Sequence, residues 1–179
     1  MQIFYVDIDP NKAAVCLVNK HIIKQILESA QLLSTAHRVL DGQEKTEKSD
    51  TGRNVKRFVL NDSRDSILYQ ATHINHPSAI WCRQSKENYK WLLMHFFALM
   101  AEYTYRYGKE HKCFGAISSF LIDFPNNLKD NDWTPMPSCM DEQYIISTDP
   151  MINYRNYYKV GKASLHSWKY RQPPAWITK

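Results

Sequence analysis

Between His21 and Arg38 the chain reads HIIKQILESAQLLSTAHR, and its apolar residues Ile22, Ile23, Ile26, Leu27, Ala30, Leu33 and Ala36 recur at steps of three and four. That is the period of an amphipathic helix rather than of a strand. The polar residues His21, Lys24, Glu28, Gln31, Thr35 and Arg38 fall on one line of the opposite side. An ordinary solvated face is one reading of this line. The other is the floor of a site for an anionic ligand, because imidazole, carboxylate, amide, hydroxyl and two cations are gathered along it.

The same patterning places the remaining elements. Ile3 to Val6 is a short β-leaning segment, and Asp9-Pro10 is an N-cap followed by proline at the first helical position. The opening helix is therefore predicted from Pro10 or Asn11 to about Leu40, broken near Val18-Asn19 and stopped by Asp41-Gly42. Residues 43–54, QEKTEKSDTGRN, have nothing to bury and read as a mobile loop. Arg57 to Leu60 and Ile67 to Gln70 flank a turn-rich stretch, and either pair as a hairpin or form a loop lying across the helices.

Pro77 opens a short helix carrying Trp81 and Arg83. Ser85 caps the longest predicted helix, Lys86 to Tyr107, which Gly108 stops. Asn88, His95, Glu102 and Arg106 form a second polar line there, which either faces the first across a groove or is solvated. A short helix is expected around Ile117 to Ile122, and Asp149-Pro150 starts another that ends at Gly161. The fold expected is mainly α: a compact bundle of three or four principal helices with a small β-hairpin insertion. The 179 residues fit a single helical domain, with the loop and hairpin placed at 41–70.

Composition adds a basic and aromatic bias, with 23 Lys and Arg against 18 Asp and Glu, eleven Tyr and five Trp. Cations interleaved with rings suit a nucleic-acid or nucleotide surface, although Trp and Tyr serve cores equally well. The four cysteines contain no CxxC pair, which argues against a zinc ribbon. His73 and His76 form an HxxH pair without a third ligand, so ordinary loop histidines are favoured over a metal site. No metal and no organic cofactor are implied. The start of the chain is too acidic for a secretory leader, and the most apolar run, Trp91 to Ala101, is too short to span a bilayer. A soluble protein with reduced thiols in a cytosol, that of the host if the chain is viral, is the expectation. There is no glycine-rich phosphate loop and no nucleophile elbow, and five glycines are few for a dinucleotide-binding fold.

Four fragments carry a family resemblance: NKHIIKQILESAQLLSTAHRVLDG, THINHPSAIWCRQSKENYKWL, EYTYRYGKEH and YRNYYKVGKASLHSW. They resemble a family of small phage and virus proteins and, more distantly, are similar to the phage pyrimidine-dimer DNA glycosylases of the endonuclease V type. In those enzymes an early helix carries a histidine and, seven residues later, a catalytic glutamate; His21 and Glu28 stand at that spacing. The Tyr105–Lys109 segment matches the end of their second helix, and Tyr157–Lys162 echoes their closing aromatic segment. The resemblance implies an α-amine nucleophile on residue 2, exposed by methionine removal. Gln2 departs from this pattern, because its bulk opposes that removal and leaves the free amine on Met1.

The resemblance implies base excision, or related chemistry, on pyrimidines in DNA. Glu28 would act as general base or stabilise positive charge developing on the sugar. His21 would hold a phosphate or orient that carboxylate. Lys24, Arg38, Arg83 and Arg106 would meet backbone phosphates, while Trp81, Tyr89 or Trp91 would stack on an extruded base. Gln31, His76, Asn88 and Lys109 complete the expected nucleic-acid contacts. Two rivals share the scaffold: a transferase that hypermodifies phage pyrimidines, and a non-enzymatic protein that sequesters a nucleotide to counter host defence. The partner is DNA or a nucleotide, not a membrane.

Overall fold

Two long helices, α2 (Asn19–Asp41) and α5 (Lys86–Tyr107), lie antiparallel and carry the rest of the chain. Their direction follows from two contacts at opposite ends. His37 Nε2 meets Tyr89 Oη at 2.9 Å, and Arg106 Nη1 donates to Asn19 Oδ1 at 3.0 Å. The structure is a computed structural model describing residues 1–178.

The chain begins as an irregular segment in which Ile3, Phe4, Tyr5 and Val6 are all buried. With both sides covered, alternation is not required, and the segment forms no strand. Within it the Tyr5 and Val6 amides donate to Ile3 O and Phe4 O, Arg155 Nε donates to Val6 O, and just beyond it Trp91 Nε1 donates to Ile8 O. The first helix, α1 (Pro10–Cys16), is capped by Asp9, which accepts from the Asn11 and Lys12 amides, and it packs on α5. The expected break is real: Leu17 and Val18 are extended, and the Val18 amide donates to Tyr158 Oη.

Beyond α2, β1 (Gln43–Lys48) and β2 (Asn54–Val59) pair antiparallel, in register from Gln43–Val59 to Lys48–Asn54. A turn holding Gly52 at φ +76° joins them. A small hairpin is therefore present, but its position differs from the sequence expectation. Residues 43–48, read as loop, are a strand, and Ile67–Gln70 is not one. A short helix, α3 (Arg64–Ile67), occupies that region instead.

Next come α4 (Pro77–Cys82) and α5, which starts at the Ser85 cap and ends at Gly108, φ +67°. Then follow α6 (Ala116–Leu121), an irregular stretch, α7 (Pro150–Val160) from the Asp149 cap, and a tail ending in α8 (Ala175–Thr178). The tail folds back on the body, with Trp168 Nε1 on Cys16 O and Arg171 on Glu102. Among the described residues this hairpin is the only sheet, so the fold is mainly α. No described helix is long and apolar enough to cross a membrane.

The second polar line, on α5, is neither solvated nor facing a groove: Asn88, His95, Glu102 and Arg106 are all buried. Each bridges to another segment. Asn88 donates to Trp81 O and Thr134 Oγ1, His95 Nδ1 lies 3.0 Å from Pro10 O, and Arg106 reaches Glu102, Leu17 O and Val15 O. Buried polar groups require such partners, and here they tie α5 to α1 and to the 134 region.

Candidate active site

Glu28 sits in the middle of α2 with its side chain 12 % exposed. Its Oε2 accepts from Gln25 Nε2 at 2.8 Å and faces the Gln2 backbone nitrogen at 3.4 Å. Its Oε1 lies 3.3 Å from Lys24 Nζ, whose side chain is 70 % exposed, so this tether is weak and screened. Gln25 is buried and therefore fixes the carboxylate from below.

Three further segments converge around this point. The Gln2 side-chain amide donates to the Cys139 carbonyl, and the Cys139 thiol lies 3.5 Å from Ser78 Oγ on α4. Tyr154 of α7 donates to Pro137 O and accepts from the Cys139 amide. His76 caps α4, its Nδ1 accepting from the Ser78 amide at 3.1 Å. The proton of the neutral ring is then on Nε2. Burial lowers the His76 pKa, and the Glu28 charge acts in the opposite direction.

The expected contacts divide sharply. Glu28, Lys24, Gln31, His76, Arg83 and Lys109 keep exposed surface. Lys109, however, lies past the C-terminal end of α5, where α2 begins, away from α4. The other six expected site residues are corrected by burial. His21 is stacked on Phe4 with ring centroids 4.3 Å apart and lies 2.9 Å from Tyr158 Oη. Because that hydroxyl already accepts the Val18 amide, its own proton is free for His21 Nδ1. Burial pushes the His21 pKa down to about 4, so the ring is neutral and holds no phosphate.

Arg38 is fully buried and donates to the carbonyls of Phe58, Asp65, Leu68 and Tyr69 and to the Asp65 carboxylate. Trp81 donates to Thr134 O, and Tyr89 donates to Leu121 O and contacts His37. Trp81 and Tyr89 are buried, as is Trp91, so none offers a free stacking face. Asn88 and Arg106 belong to the buried seam already described.

Sequence reasoning missed Gln25 and Cys139, whereas the residue 2 nitrogen was expected from the resemblance alone. Gln25 had a signal: it is a polar residue on the apolar face, three positions before Glu28. Cys139 had none, since only the tertiary fold brings it in.

The resulting arrangement is a carboxylate of fixed orientation on a helical scaffold, set against the backbone nitrogen of residue 2. Such a group can stabilise a developing cation or accept a proton. The family described as pyrimidine dimer DNA glycosylase matches residues 1–114, and the chain belongs to that family. Comparison with curated proteins and with solved structures gives no significant match. The family match includes Glu28, Gln25 and His76, whereas Cys139, Tyr154 and Tyr158 lie beyond it.

Proposed function

We propose that this protein is a DNA glycosylase that excises damaged pyrimidines from duplex DNA, with Glu28 as its catalytic carboxylate. The observation that carries this reading is the Glu28 environment: a shielded carboxylate, oriented by Gln25, with the residue 2 nitrogen 3.4 Å away. Cleavage breaks the bond between C1′ and the base nitrogen, and positive charge develops on the sugar. Glu28 offsets that charge and takes a proton from the attacking nucleophile, while the departing base takes a proton from water. In the family's scheme the nucleophile is the amine of residue 2. Where Met1 is retained, the nitrogen at Glu28 is a peptide N–H and is not nucleophilic, so water takes its place. His76, whose neutral Nε2 is a donor on this side of α4, is the second polar group offered to the substrate.

The test is Glu28→Gln, which keeps the shape and removes the charge. Excision from a duplex carrying a pyrimidine dimer is expected to fall at least about 100-fold, while the urea midpoint stays nearly unchanged. Turnover equal to the native protein's would remove Glu28 from the mechanism. Borohydride trapping on abasic DNA separates the two nucleophiles: an adduct on residue 2 indicates the amine, and none indicates water.

A further inference from the structure

The C-terminal end of α4 carries a feature that the Glu28 site does not use. A cavity of about 410 Å³ is lined there by Arg83, Gln84, Asn127, Lys129, Asn131 and Thr134. Arg83 is half-buried, and its Nη1 is enclosed without a hydrogen-bond partner among the described residues. No carboxylate lines the cavity, and the neighbouring Asp130 is engaged by Lys86 at 3.1 Å. Burial lowers the Arg83 pKa, the neighbouring Cys82 thiol acts in the opposite direction, and no carboxylate does. A guanidinium held this way, with a lysine and several amides around it, is built for an anion.

The cavity also lies on the helix whose other end is capped by His76. The 129–139 segment runs alongside α4 in the opposite direction. Thr134 meets Asn88 and Gln84 near the Arg83 end, and Cys139 meets Ser78 near the His76 end. Between them lies a second hollow of about 270 Å³, walled by Pro77, Ile80, Trp81, Gln84, Pro135 and Pro137. Ile80 and Gln84 line both, so the two hollows adjoin and together mark a track along α4. Its proline-rich middle suits sugars and base edges, and its far end suits a phosphate.

We propose that this track seats the DNA strand leading away from the damaged base, and that Arg83 and Lys129 clamp one of its backbone phosphodiesters. From His76 to Arg83 the helix covers about 10 Å, which is about three nucleotides of strand at 3.4 Å each. The inference rests on the DNA reading above and adds where the strand lies and which residues hold it.

The test uses fluorescence anisotropy with a duplex carrying an uncleavable abasic analogue, and a second duplex whose strand stops one nucleotide from the analogue. Arg83→Gln and Lys129→Ala are each expected to weaken binding of the full duplex by about threefold to tenfold. Each should also lower the magnitude of the salt slope by about one. The truncated duplex should bind all proteins alike, and Lys90→Ala, on the exposed side of α5, should behave as native. Lys129 is exposed, so its variant carries the test if Arg83→Gln melts early. If the native protein binds and excises while both variants match it, the phosphate clamp is overturned and the glycosylase reading stands. If the native protein neither binds nor excises, the glycosylase reading falls and the clamp falls with it.

Discussion

Arg38 is the residue on which the sequence and the structure diverge most, and its replacement by methionine tests the structural assignment directly. The guanidinium supplies four backbone carbonyls between Phe58 and Tyr69, at 2.7 to 2.9 Å, and the Asp65 carboxylate at 2.7 Å. Methionine keeps the volume of the stem and removes every donor. A hydrogen bond to a charged group is worth about 1.5–3 kcal/mol, and an orphaned buried acceptor costs about 1–3 kcal/mol. Asp65 is 38 % exposed, so water compensates it and its share is discounted. Some carbonyls regain water as the 58–69 segment loosens, which brings the expected loss to about 4–6 kcal/mol. That is a large part of the stability of a typical domain. Urea unfolding followed by tryptophan fluorescence measures it, and amide exchange should rise first in residues 43–69. A loss below about 1 kcal/mol would refute the structural role given to Arg38. Weaker DNA binding at unchanged stability would return Arg38 to the interface.

Two further outcomes follow from burial. His21, His37 and His95 all have pKa values near 4, lowered chiefly by burial, against 6.5 in water. Between pH 6.5 and 4 the unfolded chain binds more protons than the folded one, so stability is full above pH 6.5 and falls as the pH drops. Each histidine contributes a slope of at most about 1.4 kcal/mol per pH unit, and His95→Gln should flatten the profile by that amount; an unchanged slope would mean His95 is charged in the fold. For DNA binding, Arg38 and Arg106 no longer count as phosphate contacts, which leaves Lys24 and Arg83, joined by the proposed contact of Lys129. The logarithm of affinity should therefore fall with log salt at a slope of about −3, and a slope near −5 would mean that buried cations reach the DNA.

Helix ends were legible in the sequence because they are local chemistry. The Asp9 and Asp149 caps with their following prolines, the Ser85 cap and the Gly108 stop all lie where the residues predict. The β1 strand was not legible, because QEKTEK has no alternation and is exposed along its whole length. Its conformation is set by pairing with β2, where Phe58 supplies the buried contact. The polar line of α5 was misread for a related reason. A row of Asn, His, Glu and Arg looks the same in sequence whether it meets water or the carbonyls of a neighbouring segment. Leu17, Val15 and Pro10, which receive it, are more than seventy residues away.

The polar line of α2 divides by what covers it. At the N-terminal end, Phe4 and Tyr158 close over His21. At the C-terminal end, Thr35 holds the Thr72 amide and Arg38 gathers the 58–69 segment, so the helix is buried on every side from Leu32 to Arg38. Glu28 lies between the two covered ends, where the line still reaches solvent. Both ends are anchored by hydrogen bonds to distant segments, and the helix between them has little freedom to shift. A carboxylate placed there needs little reorganisation when charge develops beside it, which is the condition under which a single charged group contributes most to catalysis. His21 and Arg38, first read as companions of Glu28 in binding DNA, thus act one step removed: by burying themselves, they fix the two ends of the helix on which Glu28 stands.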